Sequence, residues 1–374
     1  MINNIQIKSG SFSDMADEIR LNNKKIVIFG SGAIGAVVTL EILTFYHLEN
    51  HIECYLDNDS GRWGEDVQHK CGKWKIYSPS YLEELGDKVV ILMTISRCTN
   101  VIRQLESMDC IKDTACYVIP IMLMTNFHRN GGRGVVKESQ KQLIPKKIHY
   151  MWLGGKALPH HLQRCIDSWE RLCPDYEIIR WDESNYDIGK NLYMRQAYDE
   201  GAFAFVPDYA RLDILYHHGG IYMDTDVEVI RNLDDLLYQQ AFCSVEKWQV
   251  VNFGGCNGAV KGHKSLKAFL QEREQLEFIK KDGSYNKKAS GFYDTRVIMR
   301  HGYKMNGENQ NIMGMNIYTY DYFHSYDYMS GRTEMTDDTY AIHHLNGSWI
   351  NEDDKFLNEK QSREFEELYK RTLV

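Results

Sequence analysis

No Cys-x-x-Cys pair occurs among the nine cysteines of this 374-residue chain, which are scattered from Cys54 to Cys256. That excludes a paired-cysteine zinc site and a disulfide framework, so the thiols read as reduced and the compartment as reducing. No apolar stretch reaches 18 residues, and the first 20 residues mix Asn, Lys, Ser and Asp with isolated apolar side chains where a leader would be charged and then apolar. The expectation is a soluble, cytoplasmic protein that meets a membrane only peripherally, at its inner face. Positive charge is in deficit as well. A formal net charge of −8 argues against general affinity for nucleic acid or an acidic membrane. Internal repeats of about 20 to 50 residues and low-complexity tracts are also missing. With 43% hydrophobic and 26% charged residues the composition is that of a globular enzyme, and the length exceeds what one core usually supports.

The chain reads as three segments: a Rossmann-like nucleotide-binding domain over 1–125, a linker over 126–141 and a catalytic domain over 142–374. In the first, the buried-strand pattern of residues 24–29 runs straight into Gly30-Ser31-Gly32-Ala33-Ile34-Gly35 and an apolar helix reaching Tyr46. A second strand over 52–56 ends at Asp57. Strand, Gly-x-Gly-x-x-Gly, helix, and an acid about twenty residues on form the dinucleotide fingerprint, with the phosphate at the helix start and the acid on a ribose hydroxyl. Gly30, Gly32, Gly35 and Asp57 therefore read either as a nucleotide site or as glycines that let a helix pack closely on a strand. Later strands at 89–95 and 117–121 alternate with helices at 78–85 and 101–108, which implies a small, doubly wound parallel sheet. No Tyr-x-x-x-Lys pair follows the fourth strand, so a nucleotide-sugar oxidoreductase, like a nucleotide-binding regulatory protein, is the alternative reading. The polar glycine cluster at 126–134 reads as the linker.

In the second domain a strand over 148–153 ends at Gly154-Gly155, where an α/β sheet usually holds its ligand. Trp152 there reads as a stacking surface for a nucleobase or as a core aromatic. His149 reads as packed or locally hydrogen-bonded. The segment PDYARLDILYHHGGIYMDTDV over 207–227 carries most of the chemistry. Asp208 and Arg211, three apart on a short helix, are surface neighbours that suit sugar hydroxyls and a ring oxygen or phosphate. Asp224 and Asp226 close a hydrophobic strand, and an extended chain turns both to one side, with a chain turn after Val227 making room for a metal diphosphate. Hard oxygen ligands at that spacing suit Mg²⁺ or Mn²⁺. Asn252, in the loop 251–255, reads as a donor-sugar contact or as a turn former. The aromatic stretch Tyr318, Tyr320, Tyr322, Phe323, Tyr326 and Tyr328 reads as a platform for acceptor sugars or as strand packing.

Taken with IPKKIHYMWLGG at 144–155 and AIHHLNGSW at 341–349, that segment resembles the family 32 glycosyltransferases with the sugar-binding Asp-x-Asp motif, and distantly the catalytic domains of the clostridial glucosylating toxins. The resemblance covers roughly residues 140 to 350. It implies a GT-A type α/β fold, a nucleotide-diphospho-sugar donor with UDP foremost, Mn²⁺ or Mg²⁺, and retention of anomeric configuration. Asp208, Arg211, Asp224 and Asp226 are the catalytic set it implies. Trp152, Tyr222, Asn252, Ser348 and Trp349 are the donor-binding set, with Asp224, Asp226 and His344 on the metal and His343 the alternative imidazole. The expected reaction moves a hexose to a saccharide or lipid-linked acceptor in cell-surface polysaccharide assembly. The N-terminal domain resembles small Rossmann-like units fused to sugar-modifying bacterial enzymes, with LDNDSGRWG as the second-strand feature.

Overall fold

Hydrophobic runs rich in β-branched residues, such as Lys25–Phe29 and Val89–Met93, become central strands of the first of two separate seven-stranded sheets. The computed structural model describes residues 5–96, 98–127, 131–328, 331–345, 360 and 362–370. By its internal contacts the chain divides into two units, one running to His128 and including the C-terminal residues from Asp353, the other spanning most of Arg129 to Glu352.

In the first unit the strands are β1 (Ile5–Lys8), β2 (Lys25–Phe29), β3 (Ile52–Leu56), β4 (Asp66–His69), β5 (Gly72–Tyr77), β6 (Val89–Met93) and β7 (Thr114–Val118). The helices between them are α1 (Phe12–Leu21), α2 (Leu40–Phe45), α3 (Leu82–Leu85), α4 (Thr99–Glu106) and α5 (Ile119–Asn126). The strand order is β1-β7-β6-β2-β3-β5-β4, parallel except for the β4–β5 hairpin. Strand order reverses at β2, between β3 and β6, so the glycine loop after β2 opens at a topological switch point. The sequence reading ended this sheet at residues 117–121. The edge is instead β1, whose four residues carry too little pattern to stand out and are recruited by pairing with β7. The helical residues 362–370 belong to this unit, with Glu364 bound to Arg103 at 2.6 Å and to Thr99 at 3.1 Å, so the second domain does not run unbroken to residue 374.

The second unit contains β8 (Lys147–Met151), α6 (His160–Leu172), β9 (Glu177–Trp181), α7 (Leu192–Asp199), α8 (Pro207–His218), β10 (Gly220–Tyr222), β11 (Val227–Val229), β12 (Ala241–Ser244) and β13 (Asn257–Ala259). It continues through α9 (Lys264–Glu274), α10 (Ser290–Arg300), β14 (Gln310–Ile312), β15 (Met315–Tyr318), β16 (Tyr326–Asp327), β17 (Arg332–Thr333) and β18 (Ala341–His343). Its sheet runs β14-β15-β12-β13-β10-β8-β9, with β10, β8 and β9 parallel and β13 antiparallel to both neighbours. Two cores cover its faces. Along β10 and beyond, Tyr222 enters one core while Ile221 and Met223 enter the other, as the period of two requires. This mixed α/β unit follows a parallel α/β unit, the class expected from the sequence. Among the described residues no helix is long and apolar enough to cross a membrane.

Residues 131–141, expected as a linker, are tied into the second unit. Asp338 accepts the backbone N–H groups of Arg133 and Gly134 at 2.8 Å each, and Val136 N–H donates to the Tyr318 hydroxyl at 3.0 Å. The polar glycine composition reflects backbone wrapped on a carboxylate.

His149 on β8 is fully buried and bridges two segments of this unit. Its Nε2–H donates to the Gly219 carbonyl at 2.8 Å and its Nδ1 accepts from the Trp181 indole at 3.1 Å, partners that assign the neutral tautomer. Burial pushes its pKa down to about 4; the Gly219 carbonyl and Glu177 oppose this, and His218 and Lys147 push the same way. Because the folded value lies below the unfolded one near 6.5, the contribution to stability is complete above that pH and is lost as pH falls toward 4. Urea unfolding should show a loss of up to about 3 kcal/mol across this window that a His149→Gln variant lacks. Parallel pH slopes for the two proteins would refute the assignment.

Candidate active site

The site begins at the N-terminus of α8, where Pro207 occupies a position whose N–H would have no helical partner. One turn later Arg211 folds back over that end. Its Nε donates to the Pro207 carbonyl at 3.0 Å, and one terminal nitrogen lies 3.2 Å from Asp208 and 3.6 Å from Asp224. Arg211 is 5% exposed and Asp208 is 7% exposed. Burial alone would pull the guanidinium down, but Asp224 and Asp208 outweigh it and hold Arg211 firmly charged. A planar fork fixed on three sides offers its remaining donors in one direction.

Helix α8 then reverses into β10 through Gly219 and Gly220, with φ of +65° and +103°. A Cβ on Gly220 would lie 2.9 Å from His149 Nε2, so neither the conformation nor the space admits a side chain. The turn carries the chain directly to Asp224 and Asp226. These two carboxylates share a side for a reason different from the one expected. They lie in a turn closed by Val227 N–H on the Asp224 carbonyl at 3.1 Å, and the strand resumes at Val227 instead of ending there. The convergence comes from that turn and not from strand alternation.

Opposite this turn runs β18, paired antiparallel with β11 so that His343 faces Val227. His343 Nε2 lies 3.3 Å from Asp226 Oδ1, and Asp224, Asp226 and His343 each offer a ligand atom within 4.8 Å of one another. His344, the expected metal ligand, turns away and sits 3.0 Å from Glu228. Successive residues at a strand end point to opposite sides, so only one of the pair can enter the site. Ser348 and Trp349 lie outside the described residues.

The last wall is the turn 251–255, which is mostly buried. Asn252 Oδ1 accepts Gly254 N–H at 2.7 Å, its Nδ2 donates to Glu246 at 2.5 Å, and the Gly254 carbonyl accepts Asp224 N–H at 2.9 Å. Asn252 is thus both a turn former and a member of the site wall. Tyr222 is fully buried; its ring lies 5.8 Å from the Arg211 guanidinium carbon and its hydroxyl has no partner of ordinary geometry. Trp152 follows β8, half-buried, with its indole N–H on the Lys156 carbonyl at 2.7 Å.

The residues present fit a divalent cation. His343 Nδ1 is buried without a partner. Burial raises Asp224 to about 6 even beside Arg211 and His343, whereas burial pulls His343 down and the Asp226 carboxylate outweighs it, leaving His343 raised. Behind Asp208 lies a second buried pair, Arg273 with Asp294 at 2.7 Å, which the sequence reading missed because α9 and α10 carry no motif.

In the glycine loop of the first unit the expected ribose acid is held by its own chain. Asp57 Oδ2 accepts Ser31 N–H at 3.1 Å and the Ser31 hydroxyl at 2.5 Å. A Cβ on Gly35 would fall 2.0 Å from the Gly30 carbonyl oxygen, and one on Gly30 would fall 2.7 Å from Ile95. Close packing therefore accounts for Gly30 and Gly35, whereas Gly32 faces open space.

Gly254 is the residue on which the main site closes. A Cβ there would lie 2.4 Å from Asp224 Oδ2, 2.9 Å from Asn252 Oδ1 and 3.0 Å from Arg211. Gly254→Ala should leave the protein folded but lower Mn²⁺ affinity at least about tenfold by displacing Asp224. Calorimetric titration with Mn²⁺ checks this, and unchanged affinity would show that Asp224 does not need this position.

Residues 159–243 match the family described as the glycosyltransferase sugar-binding region containing DXD motif. Inositol phosphoceramide mannosyltransferase 3 of Schizosaccharomyces pombe is 31% identical over 150 residues, covering 38% of this chain and 41% of that protein. Mannosyl phosphorylinositol ceramide synthase CSH1 of Saccharomyces cerevisiae is 35% identical over 130 residues, covering 30% of this chain and 31% of that protein. The chain thus spans less than half the length of these curated relatives. Among solved structures, the PaToxG glycosyltransferase overlaps 49% of this chain and 75% of its own at a TM-score of 0.35 and 15% identity. Residues 159–243, the stretch that matches the DXD-motif glycosyltransferase sugar-binding region, carry Asp208, Arg211, Asp224 and Asp226.

Proposed function

We propose that the second unit transfers a hexose from a nucleoside diphosphate sugar, with UDP-sugars foremost, to a saccharide or lipid-linked acceptor in cell-surface polysaccharide assembly, with retention of configuration. The observation that carries this reading is the convergence of Asp224, Asp226 and His343 beside the buried Asp208–Arg211 pair. The names of the two fungal relatives add mannose to the candidate hexoses and a lipid-borne headgroup to the candidate acceptors.

Asp224, Asp226 and His343 would hold Mn²⁺ or Mg²⁺, which when bound supplies positive charge to a diphosphate. Arg211, fixed by Asp208 and the Pro207 carbonyl, directs its free donors at the sugar ring and the phosphate nearest it. Asp208 and Asp224 accept from sugar hydroxyls. Trp152 stacks on the base at the end of β8, outside the carboxyl ends of the parallel strands. With no dedicated nucleophile in this set, retention follows a front-face path in which the departing phosphate takes the acceptor proton.

Asp226→Asn and His343→Asn should each abolish turnover of the donor and the Mn²⁺-dependent rise in melting temperature, while His344→Asn keeps both. Thermal melts with UDP-glucose or GDP-mannose, with and without Mn²⁺, measure the binding half. If His344→Asn is the silent-metal variant and His343→Asn is not, the ligand assignment is reversed.

Trp152→Ala should weaken UDP itself and not only the UDP-sugar, by roughly 1 to 3 kcal/mol, the usual worth of a base–aromatic stack. Calorimetry with UDP decides it. Undiminished affinity would place the base elsewhere.

A further inference from the structure

The aromatic stretch expected as an acceptor platform is mostly interior, with Tyr318, Tyr320, Tyr322 and Phe323 buried. Exposed rings and cations meet instead in the segment 277–289, between α9 and α10. Ile279 and Tyr285 face each other there as an antiparallel bridge, and Lys280 N–H donates to the Ser284 carbonyl at 2.8 Å. At the tip Asp282 accepts the Ser284 N–H at 2.9 Å and the Ser284 hydroxyl at 2.7 Å. The base is held as firmly. Gln196 accepts the N–H groups of Phe278 and Ile279 at 2.8 and 3.1 Å, while the Tyr193 and Tyr293 hydroxyls donate to Asn286 at 3.1 and 2.9 Å. The segment is therefore a preformed hairpin.

Its charge is opposite to that of the chain. Lys280, Lys281, Lys287, Lys288 and Arg296 are all exposed, against the exposed carboxylates Glu200, Glu277 and Asp282, in a protein of formal net charge −8. Glu200 accepts the Tyr285 hydroxyl at 2.5 Å, and Asp294, the other acid of this stretch, is buried on Arg273. Elsewhere on the second unit Lys137, Lys146, Lys147 and Lys190 each meet a carboxylate at 3.2 Å or closer. Among the described residues Lys280, Lys281 and Lys287 form no ion pair.

The rings add a second property. Tyr285 is 42% exposed and stacks on Phe278 at 5.2 Å, and Lys287 lies over the Tyr285 ring at 5.5 Å. Lys288 and Arg296 lie over the half-buried Phe292 at 4.8 and 5.6 Å. Cations on long apolar stems beside an exposed ring suit a boundary that is anionic and wet on one side and apolar on the other. Screening over about 8 Å at physiological salt lets this face act apart from the acidic remainder. Helix α10 then leads to the site wall, where Val251 N–H donates to the Thr295 hydroxyl at 3.0 Å.

We propose that the hairpin 277–289, with the first turns of α10, is a docking surface for an anionic lipid bilayer, its lysines meeting headgroup phosphates and the Tyr285 ring entering the interface. The inference stands on this surface and does not need the transferase reading. If both hold, the contact brings the site beside lipid-borne acceptors.

The test is sedimentation of the full chain with vesicles of phosphatidylcholine alone and of phosphatidylcholine mixed with phosphatidylglycerol. The protein should bind the mixed vesicles and not the neutral ones, and should be released as salt is raised. Lys280→Gln/Lys281→Gln/Lys287→Gln should lower that binding at least about tenfold, since each basic residue at an anionic surface contributes a factor of about five. Tyr285→Ala should lower it at unchanged charge. Lys25→Gln/Lys70→Gln/Lys73→Gln, an equal change of charge on the first unit, should leave it in place, and thermal melts should show all variants folded. Absence of binding to the mixed vesicles, equal binding to both kinds, or equal losses in the two triple variants would overturn the proposal. So would lysine-dependent binding of a DNA duplex that exceeds binding to the vesicles, which would make the hairpin a nucleic-acid surface.

Discussion

A guanidinium buried between two carboxylates is the constraint from which the rest of the second unit follows. Arg211 has 5% of its surface exposed and lies 3.2 Å from Asp208 and 3.6 Å from Asp224. Taking these charges out of water is tolerable only with close pairing and with the remaining donors and acceptors satisfied. The pairing in turn demands that the first turn of α8 and the end of β10 meet, although strand and helix run through different layers. Gly219 and Gly220 make that meeting feasible by reversing the chain in a conformation and a space that a side chain would not occupy.

Each further wall of the site is tied back to this pair. Gly254 takes Asp224 N–H on its carbonyl and gives its own N–H to Asn252, so the turn after β12 is set by the same aspartate that faces the metal position. Strand β18 pairs with β11 immediately after the Asp224–Asp226 turn and so brings in His343 from more than a hundred residues away. That brings three ligand atoms, from Asp224, Asp226 and His343, within 4.8 Å of one another.

The first unit shows the opposite use of a glycine motif. Its loop follows β2 at the reversal of strand order, where a nucleotide would be expected, yet Asp57 is bound by Ser31 and two of the three glycines are explained by contact distances within the protein. Motif and position agree with a ligand site, and the local contacts are those of tight helix-on-strand packing.

What the sequence determined by itself was local. Periodicity and turn residues marked β2, β3, β6 and β7 of the first unit and β8 of the second, because side-chain burial repeats within a few residues. The spacing of Asp208 and Arg211 on one helix, and of Asp224 and Asp226 on one turn, was legible for the same reason, even though the mechanism that aligns the aspartates was misread. Tertiary structure alone decided that His343 and not His344 enters the site, since that depends on the register of β18 against β11. It also decided that residues 131–141 belong to the second unit through Asp338, that Glu364 joins the first, and that Arg273 and Asp294 stand behind Asp208. None of these partners is close in sequence, and pairing between distant segments leaves no period along the chain for sequence reasoning to detect.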